Sequence, residues 1–334
     1  MARIREAYDL SELGSTAQLT AAGWTVGGAI DAATVYADIL GNGGVYSMGA
    51  DRDAFFLTPL LATPVVTFYS REHYRPTALN IRIMEWFSGG ALMGDLRTNS
   101  SGNLFIRSGT TTLATSTLAL VANNWYTIEV RWTVGDSATY EVRVDGVPWI
   151  GPSTGDTKPS TQTDIDQFRL GGLSFPDGVG RQYHDDFVVD DTDWVGESVI
   201  TSLRPNGSGN YSQFTPSAVA AHYSLVDELP YNDADYISGL TNAERDSFLH
   251  TALPGAATVV KSVLLTARAA RVGGTLNNMN HFVRIGGTDY DGSSRAVNPT
   301  ATLTTEVYDE SPATSSPWTV SEVNNAEVGV QALT

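Results

Sequence analysis

At 334 residues the chain can hold two domains of ordinary size, each with its own core. A net charge of −17 repels a phosphate backbone, so no nucleic acid is expected as a partner. There is no cysteine, which excludes disulfides, thiolate zinc sites and a thiol nucleophile and suits a reducing cytoplasm.

The 32 glycines, the many Thr and Ser, and only two lysines (Lys158 and Lys261) predict an all-β chain with many turns. Residues 1–8 contain no apolar stretch, so no secretory signal is expected. No apolar run approaches 18 residues, so no membrane partner is expected. Residues 1–50 show weak periodicity, with Tyr8, Trp24, Tyr46 and Met48 as candidate core anchors. Gly41-Asn-Gly-Gly44 reads as a turn and fails the G-x-G-x-x-G nucleotide pattern, because the sixth position is Tyr46.

Strands are predicted over residues 65–72, 79–87 and 104–107, with Gly89-Gly90 and Ser100-Ser-Gly102 as turns. The clearest strand is 125–134. Tyr126, Ile128, Val130, Trp132 and Val134 alternate with Thr127, Glu129, Arg131 and Thr133, the pattern of a half-buried strand. Its partner carries Tyr140, Val142 and Val144 on one face and Glu141, Arg143 and Asp145 on the other, then turns at Asp145-Gly146 into residues 147–149. Antiparallel pairing sets Glu141 and Arg143 near Arg131 and Glu129 on a wet face. Residues 151–163 read as a surface loop, and a strand starts at Phe168.

Residues 183–194 place Phe187-Val188-Val189 between two pairs of Asp. Alternation buries Phe187 and Val189, sends Asp185 and Asp186 to opposite faces, and leaves the Asp pairs to strand ends and turns. The texture changes after Gly196. Thr241-Asn-Ala-Glu244 fits a helical capping box. Residues 258–270 are apolar on both faces at their centre and predict a central strand of a sandwich, with a helix as the rival. Strands follow at 282–285 and 303–308. Thr319-Val-Ser-Glu322 caps a short helical turn before a last strand over 327–333.

Two stretches carry a family likeness. Trp125 to Trp132, followed by Tyr140 to Gly146, resembles the paired strands of concanavalin A-like (laminin-G-like) jelly-rolls, and Asp185 to Val189 resembles a closing strand of that fold. More narrowly, the chain is similar to a group of bacteriophage virion proteins. The likeness runs from the Asp-strand-Asp unit through Leu203-Arg-Pro205, Tyr223 to Glu228 and Asp233-Ala-Asp235-Tyr236 to Trp318-Thr319 and Val328-Gly-Val330. It implies a concanavalin A-like jelly-roll sandwich over residues 1–198 and a second β-sandwich-like domain over 199–334. It also implies a place on the virion surface, as a capsid decoration or a tail or fibre protein, after assembly in a host cytoplasm. The partners it implies are other virion proteins and copies of the chain itself, as a symmetric oligomer.

The residues offer little chemistry. Retaining glycoside hydrolysis needs two carboxylates about 5 Å apart, and the strand signature E-x-D-x-x-E is absent. Glu141 and Asp145 share a face, but a solvent face and a turn explain them. The five His are scattered, and neither H-E-x-x-H nor G-x-S-x-G occurs. No catalytic residue is assigned, and the chain is expected not to be an enzyme. Asp190, Asp191 and Asp193 are candidate calcium ligands with turn chemistry as the plainer reading, and no other cofactor is expected. Trp149 and Tyr183 lie beside turns and are candidates for stacking on a sugar, with core packing as the plainer reading. The leading expectation is a structural virion protein acting through interfaces. The alternative is an adhesin that binds a glycan of the host surface, and a glycan hydrolase ranks third.

Overall fold

A computed structural model of the chain describes residues 4–8, 19–20, 24–27, 30–31, 48–50, 55–61, 63–172, 180–228 and 231–334. Tyr46 and the Gly41–Gly44 turn lie outside the described residues. The protein is all-β and divides into two compact units, Met1–Ile200 and Thr201–Thr334.

The first unit contains β1 (Ile4–Tyr8), β2 (Thr25–Gly27), β3 (Ile30–Asp31), β4 (Met48–Ala50), β5 (Phe55–Leu57), β6 (Thr67–Pro76), β7 (Arg82–Ser88) and β8 (Ala91–Thr98). It continues with β9 (Asn103–Ser108), β10 (Thr111–Ala119), β11 (Tyr126–Thr133), β12 (Ala138–Val144), β13 (Val147–Gly155), β14 (Gln167–Gly171) and β15 (Gln182–Asp190). One sheet has the order β13-β12-β11-β6-β15-β4-β3, with β1 also on β15; the other runs β10-β9-β8-β7-β14-β5-β2. The sheets face each other across an aromatic core. Phe68 meets Phe168 at 4.9 Å and Trp86 at 5.5 Å, Trp86 meets Trp132 at 4.9 Å, and Phe168 meets Phe187 at 5.6 Å. All five rings are fully buried. Trp86 can lie flat only because Gly94 is opposite it: a Cβ there would come within 2.6 Å of the ring.

The expected pairing of β11 with β12 is present, with Glu129 opposite Arg143 and Arg131 opposite Glu141. The face that carries them is not wet. Residues 190–200 fold back over it: the Arg143 guanidinium stacks on Trp194 at 3.9 Å, Trp194 meets Tyr69 edge-on at 5.3 Å, and Gly196 N–H donates to Glu129 Oε1 at 2.7 Å. Further along, Arg71 Nη2 donates to Ser198 Oγ at 2.9 Å and Ile200 N–H donates to Asp186 Oδ1 at 3.0 Å. Period-2 reading places residues on a face but cannot see a later segment of the same chain lying across it.

Asp185 and Asp186 are likewise not on opposite faces. β15 bulges between Asp185 and Val188 where it pairs with β6, and Asp186 takes a left-handed φ of 51°. The extra residue brings the Asp186 carboxylate to 3.3 Å from His73 and 3.8 Å from Arg71, on the face where register places Asp185. Phe187 and Val189 are fully buried, as the alternation requires.

The second unit contains β16 (Pro205–Ser212), β17 (Thr215–Pro216), β18 (Ile237–Ser238), β19 (Arg245–His250), β20 (Val263–Ala269), β21 (Asn278–Ile285), β22 (Thr288–Asp291), β23 (Arg295–Ala296), β24 (Thr302–Tyr308) and β25 (Glu327–Leu333). Its main sheet has the order β16-β19-β25-β21-β22, with β23 on β21. The 258–270 stretch is not a central strand: β20 pairs with β24 in a two-stranded sheet, and Val259 is exposed. Its apolar side chains serve a core of Leu265, Val283, Trp318, Val323 and Ala326 instead. The box at Thr319 is complete. Thr319 Oγ1 accepts from Glu322 N–H and Glu322 answers at Thr319 N–H, ahead of the helix Val320–Asn325 and of β25. At Thr241 only half a box forms. Glu244 accepts from the N–H groups of Leu240 and Thr241, but β19 follows rather than a helix.

Candidate functional site

The outer face of the second sheet carries a row of charge across four adjacent strands. Register sets Arg169 of β14 opposite Glu85 of β7, Glu85 opposite Asp95 of β8, and Asp95 opposite Arg107 of β9. A second rank places Arg82 opposite Arg97, and Arg97 opposite Phe105. Arg82 reaches this face because β7 bulges between Arg82 and Met84. Met84 and Trp86 turn into the core, while Arg82 joins Glu85.

Two carboxylates directly opposite each other repel. Here both are buried and each is clamped by arginine. Glu85 is bound by Arg82 at 2.6 Å and by Arg169. Asp95 is bound by Arg97 at 2.7 Å and by Arg107 through two bonds of 2.7 and 2.5 Å. Arg82 also donates to Gly172 O at 3.2 Å. The acids are at most 1% exposed, whereas the arginine side chains keep 13–24% of their surface in solvent. Burial raises the Glu85 carboxyl above its usual range against the pull of Arg82 and Arg169. Burial also lowers Arg82, with Glu85 opposing and the neighbouring Arg97 and Arg169 adding to the fall. The Asp95 hydrogen bond raises Arg107. Phenylalanines flank the row: Arg169 stacks on Phe55 at 5.0 Å and on Phe87 at 5.1 Å, and Phe55, Phe87 and Phe105 are all half-buried.

The residues singled out from the sequence lie elsewhere and apart. Trp149 is half-buried on β13, the edge strand of the first sheet. Tyr183 lies within β15, four strands away, about 19 Å at strand spacing. It is 1% exposed under Arg75, whose guanidinium stacks 5.4 Å from its ring, so it offers no face to a sugar. Asp190 is fully buried. Its Oδ1 accepts from Thr192 N–H at 2.7 Å, Thr192 Oγ1 at 2.9 Å and Asp193 N–H at 3.1 Å, which is the hydrogen bonding of a turn. Asp193 Oδ1 accepts from Trp194 N–H, and Asp191 is the intervening residue of that turn. Among the described residues no three His, Asp or Glu side chains converge as metal ligands.

Other polar clusters are more enclosed or fully paired. Glu72 and His184 meet at 2.6 Å between the sheets, both fully buried, beside Tyr74, whose hydroxyl donates to Gln182 Oε1. Burial and then Glu72 push the Tyr74 phenol well above its usual range. In the second unit Arg245 grips Asp291 with two bonds of 2.7 Å, Arg284 binds Asp289 at 2.5 Å, and the Tyr211 hydroxyl donates to Asp289 at 2.7 Å.

Sequence reasoning missed the arginine row because its six charged residues span Arg82 to Arg169. The one local signal was the alternation Asp95-Leu-Arg97 and Phe105-Ile-Arg107.

No family model matches the chain, and no curated protein matches it. Among similar solved structures is a carbohydrate esterase from the Shiga toxin-encoding bacteriophage phi24B, with 17% identity, 58% of this chain and 100% of that one covered, and a TM-score of 0.39. Domain 4 of the GH43 arabinanase AbnA from Geobacillus stearothermophilus, solved with arabinotriose, shows 13% identity, 57% and 93% coverage, and a TM-score of 0.38. Trypanosoma rangeli sialidase shows 14% identity and a TM-score of 0.33, over 43% of this chain; the match spans a quarter of the sialidase's length. The expectation that the chain is not an enzyme is corrected by these comparisons. Several of the structures it resembles are named as glycan-active enzymes.

Proposed function

We propose that the chain is a carbohydrate-binding protein and that the outer face of the second sheet holds the glycan. The observation that supports it is the arginine–carboxylate row with half-buried Phe105 beside it, Arg169 being held over the rings of Phe55 and Phe87. Saccharides are recognised by planar polar groups fixed before binding, beside aromatic rings that take the apolar face of a pyranose. Here the buried Glu85 and Asp95 fix four guanidiniums. Little side-chain entropy then remains to be lost on binding. Glu85 and Asp95 lie directly opposite each other on β7 and β8, and each is engaged by two arginines. The sequence likeness to phage virion proteins supports a setting on a phage particle, where such a protein would serve as a host-recognition adhesin.

The test is binding of the full chain to a glycan array, with released reducing sugar measured on every glycan that binds. The expected result is binding that Phe87→Ala and Phe105→Ala weaken together, with circular dichroism showing that the chain is still folded. Binding to no glycan would overturn the reading. Release of reducing sugar would show that the bound glycan is also a substrate.

A further inference from the structure

We infer that the glycan held on this face is an acidic polysaccharide, one bearing carboxylate or sulfate groups; this deepens the carbohydrate reading above and rests on it. The argument is the charge balance of the row. Four guanidiniums gather on one sheet face around two carboxylates. The local balance is therefore two positive charges, on a chain whose net charge is −17.

A network built only to brace the sheet needs no such surplus. One arginine for each acid would neutralise Glu85 and Asp95. The second arginine on each adds repulsion among cations, and Arg82 feels it from both Arg97 and Arg169. An anion above the row removes that repulsion. Donors remain to receive it, since each guanidinium carries five N–H groups in a fixed fork and the bonds described use fewer than half of them. The fork matches carboxylate and sulfate oxygens in pairs.

Geometry favours a chain over a single small anion. From Arg169 to Arg107 the row crosses three strand intervals, about 14 Å. That is room for a short run of sugars lying across the strands. Phe105 favours a pyranose ring over a bare mineral anion. Nucleic acid fits less well, because a duplex carries one charge per about 1.7 Å and so meets more of the repulsion of a chain of net charge −17 than a sparsely charged glycan does. A polyuronate carries no more than one charge per sugar.

The experiment uses the full chain and matched pairs of polymers in affinity electrophoresis and calorimetry: polygalacturonate against its carboxyl-reduced form, and dextran sulfate against dextran. Single-stranded DNA is the third arm. We expect at least one acidic polymer to bind at least tenfold more tightly than its neutral partner, and to weaken at least tenfold between 50 and 500 mM KCl. The double variant Arg82→Gln/Arg97→Gln, which neutralises the surplus but leaves each acid one arginine, should lose that preference. Arg82→Lys/Arg97→Lys should keep most of it, and circular dichroism shows whether either variant is folded. Equal binding to charged and neutral partners overturns the acidic class and leaves the glycan reading standing. Binding to none of the saccharides overturns both. Binding to DNA as tight as to the acidic glycans also overturns the inference, because the face would then sense charge alone.

Discussion

Replacing Phe187 by Ala tests the first sandwich at the point where its closing strand meets the core. Phe187 is fully buried, and its ring meets Phe168 edge-on at 5.6 Å; Phe168 in turn packs on Phe68 at 4.9 Å. Truncating a core Phe costs about 3–5 kcal/mol, depending on how far the site can collapse. Collapse is restricted here. The bulge beside Phe187 is tied by Asp186 to Ile200 N–H and to His73, and the partner rings are held in a chain of contacts. The lost edge-to-face pair adds about 0.5–1.5 kcal/mol of its own. The loss should therefore fall in the upper half of that range. For a unit of this size each kcal/mol moves the melting temperature by about 2–4 °C, so a fall of about 8–20 °C is expected. Six of the seven tryptophans lie before residue 200, so their fluorescence follows this unit in urea and thermal melts. A loss below about 1 kcal/mol with an unchanged urea slope would show that Phe187 is not part of the core described here.

Asp190→Ala should destabilise the same unit by about 0.5–1.5 kcal/mol, because it removes the bonds that Asp190 Oδ1 accepts from the N–H groups of Thr192 and Asp193, both of which are exposed and can turn to water. Urea melts with and without calcium check this, and a calcium-dependent loss would restore the metal reading. Thr319→Ala should cost the second unit about 0.5–2 kcal/mol through its capping box, measured by denaturant melts, with Thr319→Ser close to wild type. His281 is buried, and burial lowers its pKa from 6.5 to about 4. Between those values the unfolded chain binds the extra proton, so stability is complete above about pH 6.5 and falls as the pH drops toward 4. The full window is worth about 3 kcal/mol. Melts at pH 4.5 and 7 should show a smaller drop in His281→Asn than in wild type, and an equal drop in both would refute the assignment.

Where one strand could be read by itself, the sequence was sufficient. The β11–β12 register, the burial of Phe187 and Val189, and the Thr319 box all follow from period, turn and cap chemistry within a few residues. The failures share a cause. Tyr183 looks like an exposed ring beside a turn, yet it sits within a nine-residue strand under Arg75. Glu129 and Glu141 look wet, yet residues 190–200 lie across their sheet. Val259 to Leu265 look like a central strand because apolar residues on both faces do not say which partner covers them.

The arginine row adds a second cause. Strict alternation along residues 79–87 groups Arg82 with Met84 and Trp86, two residues that are fully buried. Followed literally, it would put a guanidinium in the sandwich core, where an unpaired charge costs far more than a break in the ladder. The bulge resolves the conflict by turning Arg82 out to Glu85. The bulge in β15 acts in the same way, bringing Asp186 to Arg71 and His73. In both strands a charged residue stands where alternation requires an apolar one, and in both the strand gains a residue at that point. At Arg82 and Asp186 the charge out of phase marks a shift in the pairing, whereas Glu72 keeps its phase between the sheets because His184 pairs with it. At Arg82 that shift completes the face on which a glycan would rest.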